Sequence, residues 1–253
     1  MNTGLLVIAA ALWGAAAGSF LPRAAYRFSA PAGEPWHDSC PGGHALKGWL
    51  GRASCPECEG AAAEGAEGAE AAGHGPRTTP LVIATALVCA ALAAATGTRP
   101  ELGVWLLLAP VGVLLTAVDF RVRRLPDPLT LPFAGAALAL LGLTALVPEH
   151  AGEWTTALLG SLALGGGYFV LFLINPAGMG FGDVKLALGT GAVLGWYGWP
   201  TVMLGTFAGF LLGALYGGAL VVARRASRKT AIAFGPFLIT GALLGLLVGA
   251  YTA

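Results

Sequence analysis

Two aspartates lie at the boundaries of long apolar segments, where an ionisable side chain needs an explanation. Asp119 closes the apolar run at residues 102–118, and Asp183 precedes the run at 184–198. A charged side chain in a membrane helix costs about 2–3 kcal/mol at the bilayer centre and less at its edge, so one such aspartate is commonly only a helix cap. Two carboxylates in one cavity instead share a proton. The ionised one can then take a proton from water while the other polarises a carbonyl group.

The segment before Asp183 favours a cavity at this aspartate. Gly178, Gly180 and Gly182 occupy every second position, where they break the helix and let other backbone segments approach the carboxylate. Irregular backbone at membrane depth is tolerated only where it is buried in protein or lines a cavity. We therefore expect Gly180 and Gly182 to support Asp183.

Two further charged residues are candidates for supporting positions. Lys185 follows Asp183 by two residues, where it would favour an ionised carboxylate, contact substrate backbone or serve only as a topology anchor. Asp127 lies in a Pro-Asp-Pro segment, where an aspartate is a common turn and N-cap residue. It therefore ranks behind Asp119 as a catalytic candidate.

Four residues in the long polar segment near the N-terminus have the types and spacing of metal ligands. They are Cys40, His44, Cys55 and Cys58. A tetrahedral zinc site takes four thiolate or imidazole ligands, so this set predicts a small structural zinc ribbon. A redox pair at Cys55 and Cys58, or unliganded cysteines, remain as alternatives.

The composition indicates that most of the chain lies in a lipid bilayer. Of its 253 residues, 56% are hydrophobic and 11% are charged, and the mean hydropathy is +0.74, which leaves too little polar surface for a soluble globule. Long apolar runs predict an all-α polytopic membrane protein with about eight transmembrane helices in the lipid bilayer. These runs lie at residues 4–21, 80–96, 102–118, 129–147, 154–174, 184–198, 201–223 and 231–253.

The distribution of basic residues predicts the orientation. With eight crossings, 13 of the 14 Lys and Arg residues fall in one set of alternate loops, and only Arg99 falls in the other. The positive-inside rule then places both termini outside and both aspartates at the cytoplasmic face of the membrane. We expect Arg121, Arg123 and Arg124 to contact lipid head groups. The net charge of +1 gives no indication of nucleic-acid binding.

The predicted domain organisation follows from these segments. Residues 1–22 form the first transmembrane helix, and 23–79 form a cytoplasmic loop. Within this loop, residues 36–59 hold the zinc-ribbon candidate and 60–79 form a flexible linker of small residues and glutamates. Residues 80–253 form the membrane core.

Several motifs, in order, resemble the bacterial type IV prepilin peptidases, which are polytopic membrane aspartyl proteases. They are GSFL at 18–21, the cysteine loop, DFR at 119–121, LPDPLT at 125–130, GMGFGDVKL at 178–186 and FGPFL at 234–238. The resemblance implies cleavage of the basic leader of prepilins or pseudopilins at the cytoplasmic face, with Asp119 and Asp183 as the catalytic pair. It also implies possible N-methylation of the new N-terminus with S-adenosylmethionine.

The chain departs from the family pattern at two places. The family loop usually carries two Cys-x-x-Cys pairs, but residues 40–46 read CPGGHAL, so His44 would replace a cysteine ligand. Pro22 stands where the family usually has an asparagine. Both departures lie in the part associated with the cysteine loop and methyl transfer, and no residues can be assigned to the methyl donor from the sequence.

Two other classes of function use the same features. An ion- or proton-coupled transporter would use the aspartates as a pathway, although such carboxylates usually lie near the middle of the bilayer. A structural component of an assembly machine would use the cysteine loop for docking and would tolerate loss of both aspartates.

Overall fold

The computed structural model describes residues 2–58, 75–176, 178–225 and 233–253, and this part of the chain contains eight long helices. They are α1 (Thr3–Phe28), α2 (Thr78–Thr96), α3 (Glu101–Val122), α4 (Asp127–Thr144), α5 (Trp154–Ile174), α6 (Phe181–Gly195), α7 (Trp199–Val222) and α8 (Gly235–Thr252). Most of the predicted linker at residues 60–79 lies outside the described residues. The all-α fold is confirmed.

Seven of the eight helices are long and apolar enough to cross a membrane. The remaining helix, α6, has 15 residues and is about 22 Å long, against an apolar bilayer core of about 30 Å. It is buried among the other helices along most of its length. The chain is therefore a multi-pass membrane protein in which α6 forms the centre of the bundle.

The outer surfaces of the bundle are apolar. Leu12 on α1, Leu162 on α5 and Phe207 on α7 each expose more than half of their surface area. A water-soluble protein does not tolerate so many exposed large apolar side chains along its helices. These surfaces instead match the hydrocarbon of a bilayer.

Glycines allow close contact between consecutive antiparallel helices. Gly18 of α1 packs against Leu81 of α2, where an added Cβ atom would lie 2.9 Å from a backbone oxygen. Gly160 of α5 packs in the same way against Gly191 of α6. Small residues at such positions favour helix association in membranes because they let the backbones approach each other.

The first helix is longer than predicted. It continues through Pro22 to Phe28, six residues beyond the predicted boundary at residue 22. Gly51 of the following loop donates its N–H to Phe20 O at 2.8 Å, and its carbonyl accepts the N–H of Arg23 at 2.9 Å. The loop therefore bonds backbone groups of α1 on either side of Pro22, where the proline interrupts the regular helical hydrogen bonds.

Candidate active site and metal centre

Asp119 lies in the last turn of α3. The helix ends at Arg123, whose backbone is left-handed (φ 51°) and whose N–H donates to Asp119 O at 2.8 Å. Residues 123–126 then connect α3 to α4. This short connection places the aspartate at the end of the bundle where α4, α6 and α8 begin.

The N-terminus of α8 holds the Asp119 carboxylate. The backbone N–H of Gly235 donates to Asp119 Oδ2 at 3.0 Å. A Cβ atom at Gly235 would lie 2.7 Å from the same oxygen, so a larger residue does not fit without displacement. Free N–H groups and the helix dipole at this terminus favour a negative charge on the aspartate.

Asp183 lies in the first turn of α6, at the third helical position. Gly180 is the N-cap residue, and its N–H donates to Asp183 Oδ2 at 3.1 Å. An acidic residue at this position satisfies the otherwise unpaired N–H at the helix start. The glycine-rich segment therefore fixes one oxygen of the carboxylate.

Leu125 lies between the two aspartate segments. A Cβ atom added at Gly182 would lie 2.9 Å from Leu125 Cβ, and one added at Gly235 would lie 3.2 Å from Leu125 Cδ1. Asp119 and Asp183 are both buried, with 3% and 7% of their surface exposed, and their charges interact. Within the described ranges, no Lys or Arg forms an ion pair with either aspartate.

The hydrogen bonds leave part of each carboxylate available for chemistry. In the described part of the chain, both bonds to these side chains reach Oδ2, and Oδ1 of each aspartate accepts none. Two neighbouring carboxylates without a cation do not both ionise readily, and such a pair can hold one proton between them. The arrangement can therefore take a proton from a water molecule and give one to a carbonyl oxygen.

Lys185 pairs with Asp127, and not with Asp183. Its Nζ atom lies 2.7 Å from Asp127 Oδ2 and 4.9 Å from the ring centroid of Phe181. Asp127 is the first residue of α4, with Pro126 as the N-cap. The two predicted supporting residues thus connect the starts of α4 and α6, beside the aspartates.

The four predicted metal ligands lie together. Their ligand atoms are all within 4.8 Å of one another. Cys40 Sγ lies 3.6 Å from Cys58 Sγ, and His44 Nδ1 lies 3.3–3.6 Å from the three sulfurs. Tetrahedral zinc requires about 3.8 Å between two sulfurs and about 3.6 Å between a sulfur and a nitrogen. This cluster could hold a metal ion.

The surroundings of the cluster also suit a metal ion. Glu57 Oε2 lies 3.4 Å from His44 Nε2, so it can orient the ring while Nδ1 faces the sulfurs. Burial raises the pKa of the Cys58 thiol to about 12, and the neighbouring Cys40 and Cys55 act in the same direction. A cation would relieve this crowding of thiols, because metal binding favours thiolates.

Arginines connect the cysteine loop to the membrane helices. Arg27 of α1 donates to Leu46 O and Gly48 O at 2.8 and 2.9 Å, and its guanidinium lies 4.2 Å from the Trp49 ring centroid. Arg124 donates to Pro31 O at 2.8 Å. The guanidinium of Arg124 is therefore engaged with protein, and the expectation that it contacts lipid head groups is not supported.

The sequence did not predict the positions of three residues around the aspartates. Gly235 holds Asp119, Arg124 connects the loop to the end of α3, and Tyr168 of α5 is buried near Asp183. The motif FGPFL was the available signal for Gly235. Arg124 and Tyr168 contact residues that are distant in the sequence, and local sequence patterns do not reveal such contacts.

Comparisons with known proteins agree with these features. A model of the type IV leader peptidase family matches residues 106–218. A prepilin leader peptidase/N-methyltransferase of Aeromonas salmonicida (strain A449) is 37% identical over 152 residues, which are 57% of this chain and 48% of the relative. A protein of the same name from Pseudomonas aeruginosa is 34% identical over 179 residues, covering 67% of this chain and 58% of the relative.

The chain spans about half of the length of the Aeromonas relatives that it matches. No solved structure matches it. A prepilin leader peptidase/N-methyltransferase of Escherichia coli (strain K12) is 32% identical over 181 residues, which are 67% of this chain and 73% of the relative. The similarity extends over most of that relative, and the family match at residues 106–218 includes both aspartate segments, so the chain belongs to the type IV leader peptidase family.

Proposed function

We propose that this protein is a membrane aspartic endopeptidase that removes the leader of type IV prepilins or pseudopilins. The observation that carries the proposal is the convergence of Asp119 and Asp183, from α3 and α6, at one end of the bundle without a neutralising cation in the described residues. Membership of the leader peptidase family supports this substrate class. It does not favour an ion- or proton-coupled transporter.

The proposed reaction uses the two free carboxylate oxygens. One aspartate, ionised, takes a proton from water as the water oxygen forms a bond to the scissile carbonyl carbon. The other aspartate, protonated, gives its proton to the carbonyl oxygen. The tetrahedral intermediate then collapses: the C–N bond breaks, and the leaving nitrogen takes the proton of the aspartate that is now protonated. As the C=O bond re-forms, a hydroxyl group of the intermediate gives its proton to the ionised aspartate, which restores the pair. The backbone N–H groups of Gly180 and Gly235 keep the carboxylates oriented during these steps.

We place this end of the bundle in the cytoplasm and both termini outside. The distribution of 13 of the 14 basic residues supports this orientation. The cysteine loop lies on the same end, since Arg124 near Asp119 contacts its backbone. A leader that precedes an apolar helix would then reach the aspartates from the cytoplasm while the apolar helix stays in the bilayer.

The metal ion of the cysteine loop is proposed to be zinc with a structural role. Three thiols and one imidazole form the ligand set, which suits zinc better than magnesium or calcium. When bound, zinc would fix the fold of residues 40–58. The reaction at the aspartates requires no metal.

N-methylation of the cleaved product is a second proposed activity, supported by the names of the relatives. A cavity of about 280 Å³ among the described helices is lined by apolar side chains such as Leu108, Phe133 and Leu243. It lacks charged partners for the amine, carboxylate and sulfonium groups of S-adenosylmethionine. This cavity does not fit the methyl donor, and we derive no step through it.

Co-expression with a type IV prepilin tests the cleavage. We expect the unmodified chain to remove the leader, and Asp119→Asn and Asp183→Asn each to leave the prepilin intact. Asp38→Asn is the matched control, because Asp38 is exposed in the cysteine loop. Mass spectrometry of the prepilin N-terminus reports cleavage and any added methyl group. Full processing by Asp183→Asn would refute the aspartyl mechanism.

A further inference from the structure

Tyr168 carries a buried hydroxyl group that has no partner among the described residues. Tyr168 lies on α5 and exposes 2% of its surface. Its Oη atom makes no hydrogen bond in the described part of the chain. An unpaired buried hydroxyl is unfavourable, and tyrosine hydroxyls usually find a partner when buried. A substrate group that reaches this hydroxyl would satisfy it.

The packing of α5 on α6 places Tyr168 beside Asp183. Gly165 of α5 packs against Leu188 of α6. The two helices are antiparallel. The residue one turn after Gly165 on α5 therefore lies beside the residues one turn before Leu188 on α6. Tyr168 therefore faces the first turn of α6, and the charge of Asp183 acts on its hydroxyl. No hydrogen bond joins these two groups within the described residues, which leaves the hydroxyl available to a bound substrate.

Aromatic rings fix the orientation of the Tyr168 side chain. Its ring stacks on Phe210 of α7, with centroids 5.7 Å apart and an interplanar angle of 27°. It also contacts Phe234, with centroids 6.0 Å apart. Phe234 precedes Gly235, whose N–H holds Asp119. Tyr168 is thus packed against α7 and against the residue that precedes Gly235.

We propose that Tyr168 Oη donates a hydrogen bond to the carbonyl oxygen of the scissile peptide as this oxygen gains negative charge. This inference rests on the proposed peptidase function. It makes Tyr168 a third catalytic residue, because its hydroxyl would contact the reacting group directly. A rigid donor that has no partner in the free enzyme can favour the transition state over the ground state.

The hydrogen bond adds no group transfer to the reaction. The water oxygen bonds to the carbonyl carbon, and the electron pair of the C=O π bond moves to the carbonyl oxygen. The proton for that oxygen comes from the protonated aspartate, and the proton of water goes to the ionised one. Tyr168 keeps its own proton throughout. Its hydroxyl stabilises the charge on the oxygen until proton transfer is complete.

Tyr168→Phe tests the proposal, because it removes only the hydroxyl. Steady-state cleavage of a purified type IV prepilin in detergent should show kcat lowered by about 10²-fold, with KM unchanged, as for loss of one oxyanion donor. The melting temperature should be equal or higher, because phenylalanine removes an unpaired buried polar group. Tyr216→Phe is the matched control, since Tyr216 is 44% exposed on α7. It should retain the kcat of the unmodified enzyme.

Three results would overturn the inference. Unchanged kcat in Tyr168→Phe, with Asp119→Asn and Asp183→Asn inactive, leaves the peptidase standing and removes Tyr168 from catalysis. A lower melting temperature would mean that the hydroxyl has a structural partner in the free enzyme. A shifted pH profile of kcat in Tyr168→Phe would mean that the Tyr168 hydroxyl binds an aspartate and not the substrate. If both aspartate variants cleave normally, the peptidase proposal itself fails.

Discussion

Buried carboxylates occur at both ends of the bundle, and their surroundings differ. At the end opposite the aspartates, Glu101 is completely buried at the start of α3. Its Oε1 atom accepts a hydrogen bond from Tyr197 Oη at 3.2 Å, and Arg99 Nη1 lies 3.9 Å away. Asp119 and Asp183 instead receive one backbone N–H each and have each other as a neighbouring charge.

The presence of a cation explains the difference in expected roles. Arg99 compensates the charge of Glu101, and Arg99 also donates to Ala250 O of α8 at 2.7 Å. The hydrogen bond from Tyr197 also joins Glu101 to the segment that connects α6 and α7. A paired carboxylate of this kind fastens helices together. Two unpaired carboxylates repel each other, which is unfavourable for folding but suits proton transfer.

The largest effects are expected when one carboxylate at each end is replaced by alanine and both kcat and the free energy of unfolding are measured. We expect Asp183→Ala to lower kcat for prepilin cleavage by about 10⁴-fold, as for removal of a member of a catalytic unit. Its free energy of unfolding should change little, because the loss of the hydrogen bond from Gly180 N–H opposes the relief of charge repulsion. Glu101→Ala should lower the free energy of unfolding by about 3 kcal/mol, because it leaves Arg99 without its carboxylate partner. Its kcat per folded molecule should be unchanged.

Chemical unfolding in detergent micelles and steady-state kinetics measure the two quantities. Glu101→Gln serves as the matched variant, since it keeps the shape and the hydrogen-bonding capacity and removes the charge. It should lose less stability than Glu101→Ala. A large drop in kcat for Glu101→Gln at full folding would show that the two ends are coupled, and the comparison would no longer hold.

The sequence predicted this contrast only in part. Hydropathy located all of the helices, because each apolar run is a local property, and the spacing of Cys40, His44, Cys55 and Cys58 predicted the cluster. Local patterns could not indicate that Gly235 holds Asp119, since 116 residues separate them.

Glu101 was missed for a related reason. It directly precedes an apolar run, where an acidic residue is also expected at an ordinary helix start. Its burial depends on Tyr197 and on residues of the connection between α4 and α5. Similarly, Arg124 looked like a lipid contact because its partners, backbone carbonyls and the ring of Trp36, carry no charge pattern.

Removal of the metal ion should disturb the structure at the aspartate end of the bundle more than at the opposite end. We expect one zinc ion per chain by elemental analysis, lost in Cys55→Ser and Cys58→Ser. Cys89→Ser is the control, because Cys89 is buried within α2, away from the cluster. Glu57→Gln should weaken zinc binding by about tenfold, as expected for an outer partner of a histidine ligand.

Loss of zinc should lower prepilin cleavage less than loss of an aspartate. The loop contacts the end of α1 and Arg124, whereas the bonds that hold the carboxylates come from Gly180 and Gly235. Retention of zinc by Cys55→Ser would remove this cysteine from the ligand set. Equal loss of cleavage in the cysteine and aspartate variants would place the cluster in the reaction itself.

The smallest expected effect concerns the cation nearest to the aspartates. Lys185 binds Asp127 at 2.7 Å, but the Asp127 side chain is 60% exposed, so water screens the pair. A double-mutant cycle with Lys185→Met and Asp127→Asn should give a coupling energy of about 0.5–1 kcal/mol for unfolding. If all of this energy positions the start of α6, kcat falls by at most about fivefold. A much larger loss of kcat in Lys185→Met, with Asp127→Asn unaffected, would mean that Lys185 acts on Asp183. The aspartate end would then hold a compensating cation after all, and its contrast with Glu101 and Arg99 would disappear.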